Sequence, residues 1–424
     1  MKLPLSRTRP SLPCSAAAPG RRIRLGQLSH AGLALALMAG VSLTWAQTAP
    51  PFKIGVLNDL SGPYADLSGP GAVVAARMAI EDFGGKVLGR PIELLEGDHL
   101  NKPDTALTIG RQWFDGGVRA VFDVGVAPVA IAMQDLIKEK NRIAIFTSSG
   151  SPDLTRKYCT PNGIQWVYNP YPQVAASTKG LLEAGGKSWY FITVDYTYGK
   201  GVQQDAVGMV EKAGGKVVGS TTHALTTSDF SSQLLQAQAS KAQVIGLATT
   251  SVQTSGMIKQ ADEFGIRAKG QKLAPLSLQF YDVKALGLQA AQGLYVGEAY
   301  YWDQNDETRK FAMRFKDRAK GRMPNMSQAG TYGAVTHYLK AVAAAGTDDT
   351  AAVMAKMKST PINDFMTKNG SIRDDGQVMR DFYVFRVKTP AESKSEWDLY
   401  APAGTLPREV AMRPADASLC SLVK

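Results

Sequence analysis

The stretch Leu57–Gly71, LNDLSGPYADLSGPG, is the first segment of the sequence whose side chains could bind a small molecule. It follows the apolar run Phe52–Leu57 and carries the hydroxyl groups of Ser61, Tyr64 and Ser68. The alanine-rich helical pattern after it begins with free backbone N–H groups and a partial positive charge. Such a helix start can bind a carboxylate without a basic side chain. The same residues would also serve as a simple helix cap, and both readings stay open.

A nucleotide-binding loop is the main alternative for this segment. The dinucleotide fingerprint needs three closely spaced glycines in a tight turn directly after the strand. Here Gly62, Gly69 and Gly71 are spread over a longer loop, Val74 occupies the third glycine position, and prolines interrupt the spacing. The geometry therefore disfavours a phosphate cradle and favours a site for a neutral or carboxylate-bearing molecule.

Similar segments follow other predicted strands. FTSSGSPDLT exposes Ser148, Ser149 and Gly150 before a helix-start signal, and DVGVAPVAIAM ends a strand at residues 126–128. The stretch VDYTYGKG places Tyr198 at a further strand end. Because α/β proteins bind ligands at the carboxyl ends of parallel strands, these segments together predict one ligand cleft.

Catalytic arrangements are missing from the sequence. It contains no G-x-S-x-G elbow, H-E-x-x-H motif or P-loop. Beyond the leader, the histidines are His99, His223 and His337. His337 lies in an apolar helical pattern that favours packing, whereas His99 follows a strand and could belong to a site. No nucleophile stands beside His99, so we expect neither an enzyme nor a cofactor.

Residues 1–46 have the features of a secretory signal peptide. Six basic and no acidic residues precede or flank the 13-residue apolar run AGLALALMAGVSL, which is followed by TWAQ. A membrane span would need about 20 apolar residues. We expect cleavage near Ala46 and a periplasmic protein. The formal net charge of +11 then falls by those six to about +5, which removes the main argument for nucleic-acid binding.

Two cysteines remain after the leader, Cys159 and Cys420. In an oxidising compartment an even pair in turn-rich surroundings favours a disulfide, which would fasten the C-terminal tail. Two free buried thiols are the alternative. Their separation excludes the spacing of a metal site.

The remaining chain alternates apolar, β-branched runs with helical patterns, which predicts parallel sheets covered by helices on both faces. The tripeptide GGK occurs at residues 84–86, 185–187 and 214–216, where it marks turns from a helix to a strand. After Trp302 come long helical patterns and then a hairpin-like segment, so we expect two α/β lobes. The length beyond the leader also favours two domains.

The chain from Phe52 to about Tyr400 resembles the type I periplasmic binding proteins of the leucine/isoleucine/valine group, the solute receptors of ABC importers. The C-terminal segment NGSIRDDGQVMRDFYVFRVKTPAESKSEWDLY resembles a branch of that family with poorly defined ligands. The other matching stretches are IGVLNDLSGPYADLSG, AIFTSSGSPDLT, YTYGKG, TTSDFSSQL and IKQADEFGI.

The resemblance implies an α/β fold of two lobes joined by three crossings, with the solute buried between them. The implied partners are a small carboxylate or amino acid and an inner-membrane ABC permease, without nucleic acid, and we expect a monomer. The expected segments are a signal peptide at 1–46, the first lobe at 47–170 and 297–361, the second lobe at 171–296 and 362–400, and a tail at 401–424.

The family's contacts carry over unevenly. Its carboxylate-binding position falls on Ser148 and its partner on Gly150, and the stacking tyrosine falls on Tyr198. The family's hydroxyl-bearing residue in the loop after the preceding strand corresponds to Ala127, which has no hydroxyl. The family's acidic residue that pairs with an ammonium group corresponds to Leu276. The full expected set is Ser61, Tyr64, Ser68, Ala127, Ser148, Ser149, Gly150, Tyr198, Thr249, Thr250 and Leu276.

The apolar residue at the acidic position has a physical consequence. A buried ammonium group without a carboxylate partner costs several kcal/mol. The sequence therefore favours a carboxylate on an apolar or aromatic body, unless Asp195 or Asp123 replaces the missing acid. A ligand-sensing receptor that reports to a membrane signalling partner would have the same sequence features as a transport receptor.

Overall fold

The predicted N-terminal strands form one six-stranded sheet in the computed structural model, which describes residues 49–424. The predicted signal peptide lies outside the described residues. The strand order is β2-β3-β1-β4-β5-β6, and all pairs are parallel except β2 with β3. The strands are β1 (Phe52–Asn58), β2 (Lys86–Val87), β3 (Arg90–Asp98), β4 (Val118–Asp123), β5 (Ile143–Phe146) and β6 (Gly163–Gln165).

Helices cover both faces of this sheet, because its strands are apolar on both sides. The first three are α1 (Gly69–Phe83), α2 (Pro103–Asp115) and α3 (Ala127–Lys140). Phe52 and Ile54 of β1 pack with α1 in one core, whereas Leu57 packs with α2 and α3 in another. Because β1, β4 and β5 pair in parallel, their carboxyl ends and the polar loops that follow lie at one edge of the sheet.

A second sheet has the order β10-β9-β7-β8 and is parallel throughout. Trp189 and Phe191 pack on one face, and Tyr190 and Ile192 on the other. Its strands are β7 (Ser188–Val194), β8 (Lys216–His223), β9 (Val244–Ala248) and β10 (Lys272–Pro275). Its helices are α4 (Pro170–Glu183), α5 (Thr197–Lys212), α6 (Ser231–Ala239), α7 (Ser251–Glu263), α8 (Phe280–Leu286) and α9 (Leu288–Ala291).

The C-terminal part returns to both groups of elements. Helices α10 (Asp306–Arg318), α11 (Met326–Ala345) and α12 (Thr350–Ser359) contribute to the core of the first sheet. An antiparallel sheet of β11 (Tyr295–Glu298), β14 (Phe382–Val387) and β15 (Tyr400–Leu406) packs against α4. The chain therefore passes between the two groups three times, after β6, after β11 and before β14.

Two expected segment boundaries differ from the structure. Residues 362–379, which were expected in the second lobe, pack with the first: Ile372 and Val378 join the core of β1, and Gln377 bridges to Gln165. These apolar side chains belong to the predicted hairpin, β12 (Ser371–Ile372) with β13 (Val378–Met379). Residues 401–406, expected as tail, complete β15 because their backbone pairs with β14.

The rest of the tail is held against the body of the protein. A short helix, α13 (Arg408–Ala411), packs against α4 and buries Ala411. The structure joins Cys159 and Cys420 by a disulfide, with 5.9 Å between the Cα atoms. At the three GGK turns, Gly84, Gly185 and Gly214 have φ values of 100°, 87° and 74°. Within residues 49–424, no helix is both long and apolar enough to span a bilayer.

Candidate functional site

The loop after β1 is fixed from beneath by Asp59. Its carboxylate accepts hydrogen bonds from the backbone N–H groups of Gly62, at 2.7 Å, and Tyr64, at 2.9 Å. The hydroxyl of Ser61 donates to Asp98 at 2.6 Å, so it ties the loop to β3. Tyr64 is 47% exposed and forms part of the rim of the cleft. The loop thus presents Tyr64, whereas the expected contact Ser61 is already used within the protein.

The loop after β5 forms most of the first wall. Ser148 and Ser149 are buried, and their hydroxyls have no partner in the described part of the chain. A Cβ atom on Gly150 would lie 2.6 Å from Cε1 of Tyr168, so only glycine lets this ring lie against the loop. The structure places these three predicted residues in one loop, and Tyr168 joins them from the first crossing.

The loop after β4 lies beside this wall. A Cβ atom on Gly125 would lie 3.1 Å from Oγ of Ser148 and 3.9 Å from Oγ of Ser68. Ser68 is buried at the start of α1 and makes no capping bond there, and Ala127 begins α3. Ser68 is therefore part of the wall, whereas the Ala127 methyl group supplies no hydroxyl.

The second wall comes from the other parallel sheet. Tyr198, near the start of α5, stacks on Tyr196 with 5.9 Å between ring centroids. The hydroxyls of Tyr198 and Tyr168 both lie beside Ser277. Burial raises the pKa of Tyr198 to about 12, so all these hydroxyls remain protonated at neutral pH. The two walls therefore face each other through tyrosine and serine hydroxyls, with Tyr64 across from Tyr196.

Thr249 and Thr250 were expected to contact the solute at the end of β9. Their hydroxyls donate to Oε1 of Gln253 at 2.9 and 3.0 Å. Gln253 in turn donates to the carbonyl of Leu225 at 2.8 Å. Both threonine hydrogens are thus used to fasten the start of α7 to the loop after β8.

Leu276 is not placed with the site. It is fully buried in the core that includes Trp189 and Phe191, because alternate residues of an extended segment point to opposite faces. The neighbouring Ser277 faces the tyrosines instead. With leucine at position 276, an acidic partner for an ammonium group must come from another residue.

Asp282 is a half-buried carboxyl group that the sequence reasoning missed. It lies on α8, where Oδ2 accepts a hydrogen bond of 2.9 Å from the N–H of Gln279. Its charge acts on Tyr168 and Tyr198, and also on the buried groups Glu298 and Tyr400, so it lies near the second wall. Burial raises the pKa of Asp282. The sequence signal was only a helix capping pair, which does not reveal that the carboxyl group faces a cleft.

The two acids considered as substitutes are engaged elsewhere. Asp195 is exposed and pairs with Lys200 at 2.8 Å. Asp123 is fully buried behind the first wall and accepts hydrogen bonds of 2.9 Å from both Asn58 and Thr147. Within the described range, no cluster of three or more His, Cys, Asp or Glu side chains could hold a metal ion.

Comparisons with known proteins agree with this fold. The profile of a family described as periplasmic binding protein matches residues 51–394. A periplasmic binding protein from Burkholderia mallei is 42% identical, with a TM-score of 0.78 over 86% of this chain and 96% of that chain. A branched chain amino acid ABC transporter periplasmic ligand-binding protein from Burkholderia xenovorans is 39% identical, with a TM-score of 0.81 over 86% and 97%.

A curated relative, the Leu/Ile/Val-binding protein homolog 4 of Brucella abortus, is 25% identical over 251 residues. That match covers 56% of this chain and 59% of the relative. The structural similarities extend over nearly all of the two Burkholderia proteins, and they confirm the two-lobed fold with parallel sheets flanked by helices.

Proposed function

The chain belongs to the family of periplasmic binding proteins, and from this we infer that it captures a small solute between its lobes and delivers it to an inner-membrane ABC permease of the branched-chain-amino-acid type. The observation that carries this proposal is the pair of facing walls. Ser148 and Ser149 present buried hydroxyls on one wall, and Tyr198 and Ser277 face them from the other. The family assignment supports a periplasmic location.

The walls support a solute with a carboxylate and a compact apolar or aromatic body. Hydroxyls and the start of α3 suit the carboxylate, and the rings of Tyr168 and Tyr198 suit the body. Asp282 adds a place for an ammonium group, because an opposite charge nearby would restore its ionised form. Amino acids and amine-free carboxylates are therefore the two solute classes to compare.

Closure of the lobes would couple solute binding to transport. A solute that contacts both walls binds the closed form more tightly than the open form, and so it shifts the population toward closure. Tyr64 on the first lobe and Tyr196 on the second are both exposed and close enough for the charge of one to act on the other. The permease would then recognise the surfaces of the closed pair.

A thermal-shift panel tests the receptor function. Residues 47–424 are heated with branched-chain amino acids, aromatic carboxylates and dicarboxylates. A true solute at about 1,000 times its Kd should add roughly 4 kcal/mol to the free energy of unfolding, which raises Tm by several degrees. A panel in which no compound shifts Tm would contradict the proposed solute class.

The site assignment has its own test. Changing Ser148→Ala and Tyr198→Ala together should abolish binding of the compound with the largest shift, measured by calorimetry, while circular dichroism stays unchanged. Ser177→Ala is the matched control, since Ser177 is another buried serine without a partner but lies on α4. Retained affinity in the double variant would remove these residues from the site.

A further inference from the structure

His99 is a buried histidine at the end of β3 with one unused ring nitrogen. It is 0% exposed, and its Nδ1 accepts a hydrogen bond of 3.0 Å from the N–H of Asn101. Burial lowers the pKa of His99, which keeps the ring neutral at pH 7. A neutral ring that accepts at Nδ1 carries its proton on Nε2. That Nε2 has no partner in the described part of the chain, so His99 presents an unused donor.

The donor is directed at the space above Gly125. A Cβ atom on Gly125 would lie 3.8 Å from Nε2 of His99, close to the hydroxyls of Ser68 and Ser148 described above. These three side chains come from the loops after β1, β3 and β5, and all are buried. The groups therefore form a cradle, made of His99, Ser68 and Ser148 around Gly125, that a single methyl group would fill.

The backbone beside the cradle is strained. Asp123, Val124 and Val126 have φ values of 77°, 43° and 50°, which are costly for residues with a Cβ atom. Such strain persists only where the surroundings enforce it, and it is concentrated at functional sites. Gly125 itself is not in the left-handed region. Glycine is therefore needed at position 125 to keep the space above it open, and not for its backbone conformation.

Asp123 is the titratable group beneath the cradle. Its oxygens accept from Asn58 and Thr147, and the hydroxyls of Ser68 and Ser148 lie beside them. Burial raises the pKa of Asp123 and thereby favours its protonated form. A protonated carboxyl group does not repel an oxygen atom placed above it.

We propose that Nε2–H of His99 donates a hydrogen bond to an oxygen of the solute's carboxylate, seated in the cradle above Gly125. This inference rests on the proposed receptor function and adds to it a binding residue from the loop after β3. It also gives the first wall an N–H donor beside its hydroxyls. A solute without an acceptor oxygen would leave this buried donor unsatisfied, so the cradle selects for carboxylates.

Two substitutions at His99 separate its donor from its volume. His99→Gln keeps an amide N–H near the position of Nε2, whereas His99→Leu keeps a similar volume without a donor. The calorimetric probes are benzoate and L-leucine. His99→Leu should bind them about 10- to 100-fold more weakly, as expected for a lost hydrogen bond to a charged group. The glutamine variant should retain affinity within about threefold, because its donor remains.

Two further variants test the cradle itself. Gly125→Ala keeps every polar group but fills the space, so it should also weaken binding. His223→Leu is the control, since His223 is a buried histidine of the other sheet with an unpartnered Nε2. Its affinity for the probes should match that of the unsubstituted protein.

The outcomes are distinguishable. Unchanged affinity in His99→Leu, with carboxylate binding intact in the unsubstituted protein, would overturn the role of His99 and leave the receptor function standing. Equal losses in the leucine and glutamine variants would also overturn it, because they would show a need for the imidazole shape rather than for its donor. If the unsubstituted protein binds no carboxylate, the receptor proposal and this inference fail together.

Discussion

At the scale of single residues, we propose that the acidic group of the second wall, Asp282, influences which solutes bind. Leu276, where the family resemblance implied an acid, points into the core, and Asp282 supplies a carboxyl group from α8 instead. An acid in this place serves two roles: it caps a helix, and it can pair with an ammonium group. The two roles can be separated because asparagine retains a side-chain oxygen for the cap.

Asp282→Asn should therefore change selectivity more than stability. We expect the affinity for amino acids to fall by about 10- to 100-fold, because a buried ammonium group would lose its charged partner. The affinity for amine-free carboxylates should stay the same. Calorimetry with L-leucine and benzoate measures the ratio of the two affinities. Equal losses for both probes would show that Asp282 only maintains the wall.

At the scale of elements, the first crossing is fastened to the binding loop by one side chain. Nε2 of Gln165, at the end of β6, lies 3.1–3.2 Å from the carbonyl oxygens of Ser149, Ser151 and Tyr168. Gln165 is buried, so no water replaces these bonds if the amide is removed. The same residue thus holds both the serine loop and the tyrosine that lies against it.

Gln165→Met should loosen both segments. Methionine has a similar length but no donor, so we expect the free energy of unfolding to fall by about 1–3 kcal/mol and solute affinity to weaken. Urea unfolding and calorimetry measure the two effects. Gln173→Met is the matched control: Gln173 is also buried, but neither of its amide atoms has a partner, so its loss should cost little. Equal destabilisation in both variants would contradict a special role for Gln165.

Local patterns predicted the regular elements well. The sequence runs RPIELLEGD (90–98) and KVVGSTTH (216–223), whose composition indicates strands, are β3 and β8 to the residue. The run IQWVYN (164–169) also indicates a strand, but β6 ends at Gln165 because the residues beyond it turn into the first crossing. Nothing local distinguishes a strand from a crossing when both are buried and rich in aromatic residues.

The site was predictable only where it follows the ends of strands. Strand-end position and resemblance predicted Ser148, Gly150 and Tyr198 as contacts, and the structure puts them in the two walls. His99 remained ambiguous, and Asp282 was missed because its sequence context is that of a helix cap. Their roles depend on which distant groups meet them in the cleft, and a linear sequence does not contain that information.

At the scale of the whole molecule, the C-terminal tail connects distant elements. Cys420 is bonded to Cys159 beside the first sheet, and Arg413 contacts both Asp205 on α5 and the ring of Tyr171 on α4. The disulfide closes a loop of 261 residues, which restricts the unfolded chain. The tail should therefore contribute to stability although it lies outside both parallel sheets.

Replacing both cysteines by serine should lower the free energy of unfolding by about 2–5 kcal/mol. Changing both at once avoids a lone reactive thiol. Urea unfolding with and without a reducing agent measures the effect: the reductant should destabilise the unsubstituted protein to about the level of the double variant and leave the double variant unchanged. If the double variant is as stable as the unsubstituted protein without reductant, the other contacts of the tail are enough to maintain the stability.

Two sets of buried titratable groups change the stability with pH in opposite directions. Burial lowers the pKa values of His99, His223 and His337, so protonation of the unfolded chain destabilises the protein as the pH falls below about 6.5. Burial raises the pKa values of Asp282 and Glu298, whose ionisation in the folded protein is unfavourable. These carboxyl groups reduce stability as the pH rises.

Glu298→Gln isolates one of these groups. Glu298 is fully buried at the end of β11, where Oε1 accepts a hydrogen bond of 3.5 Å from Tyr400 and Oε2 has no partner in the described residues. In the unfolded chain the Glu298 carboxyl group ionises near pH 4.5, whereas in the folded protein its pKa is higher. The loss of folding stability that this difference causes is therefore absent well below pH 4.5 and grows above it. Glutamine keeps the acceptor and removes the titration. The stability of the variant relative to the unsubstituted protein should therefore rise by at least about 1 kcal/mol between pH 4.5 and pH 8 in urea unfolding, while the histidine contributions cancel. A difference that does not change with pH would show that Glu298 ionises inside the fold as easily as in water.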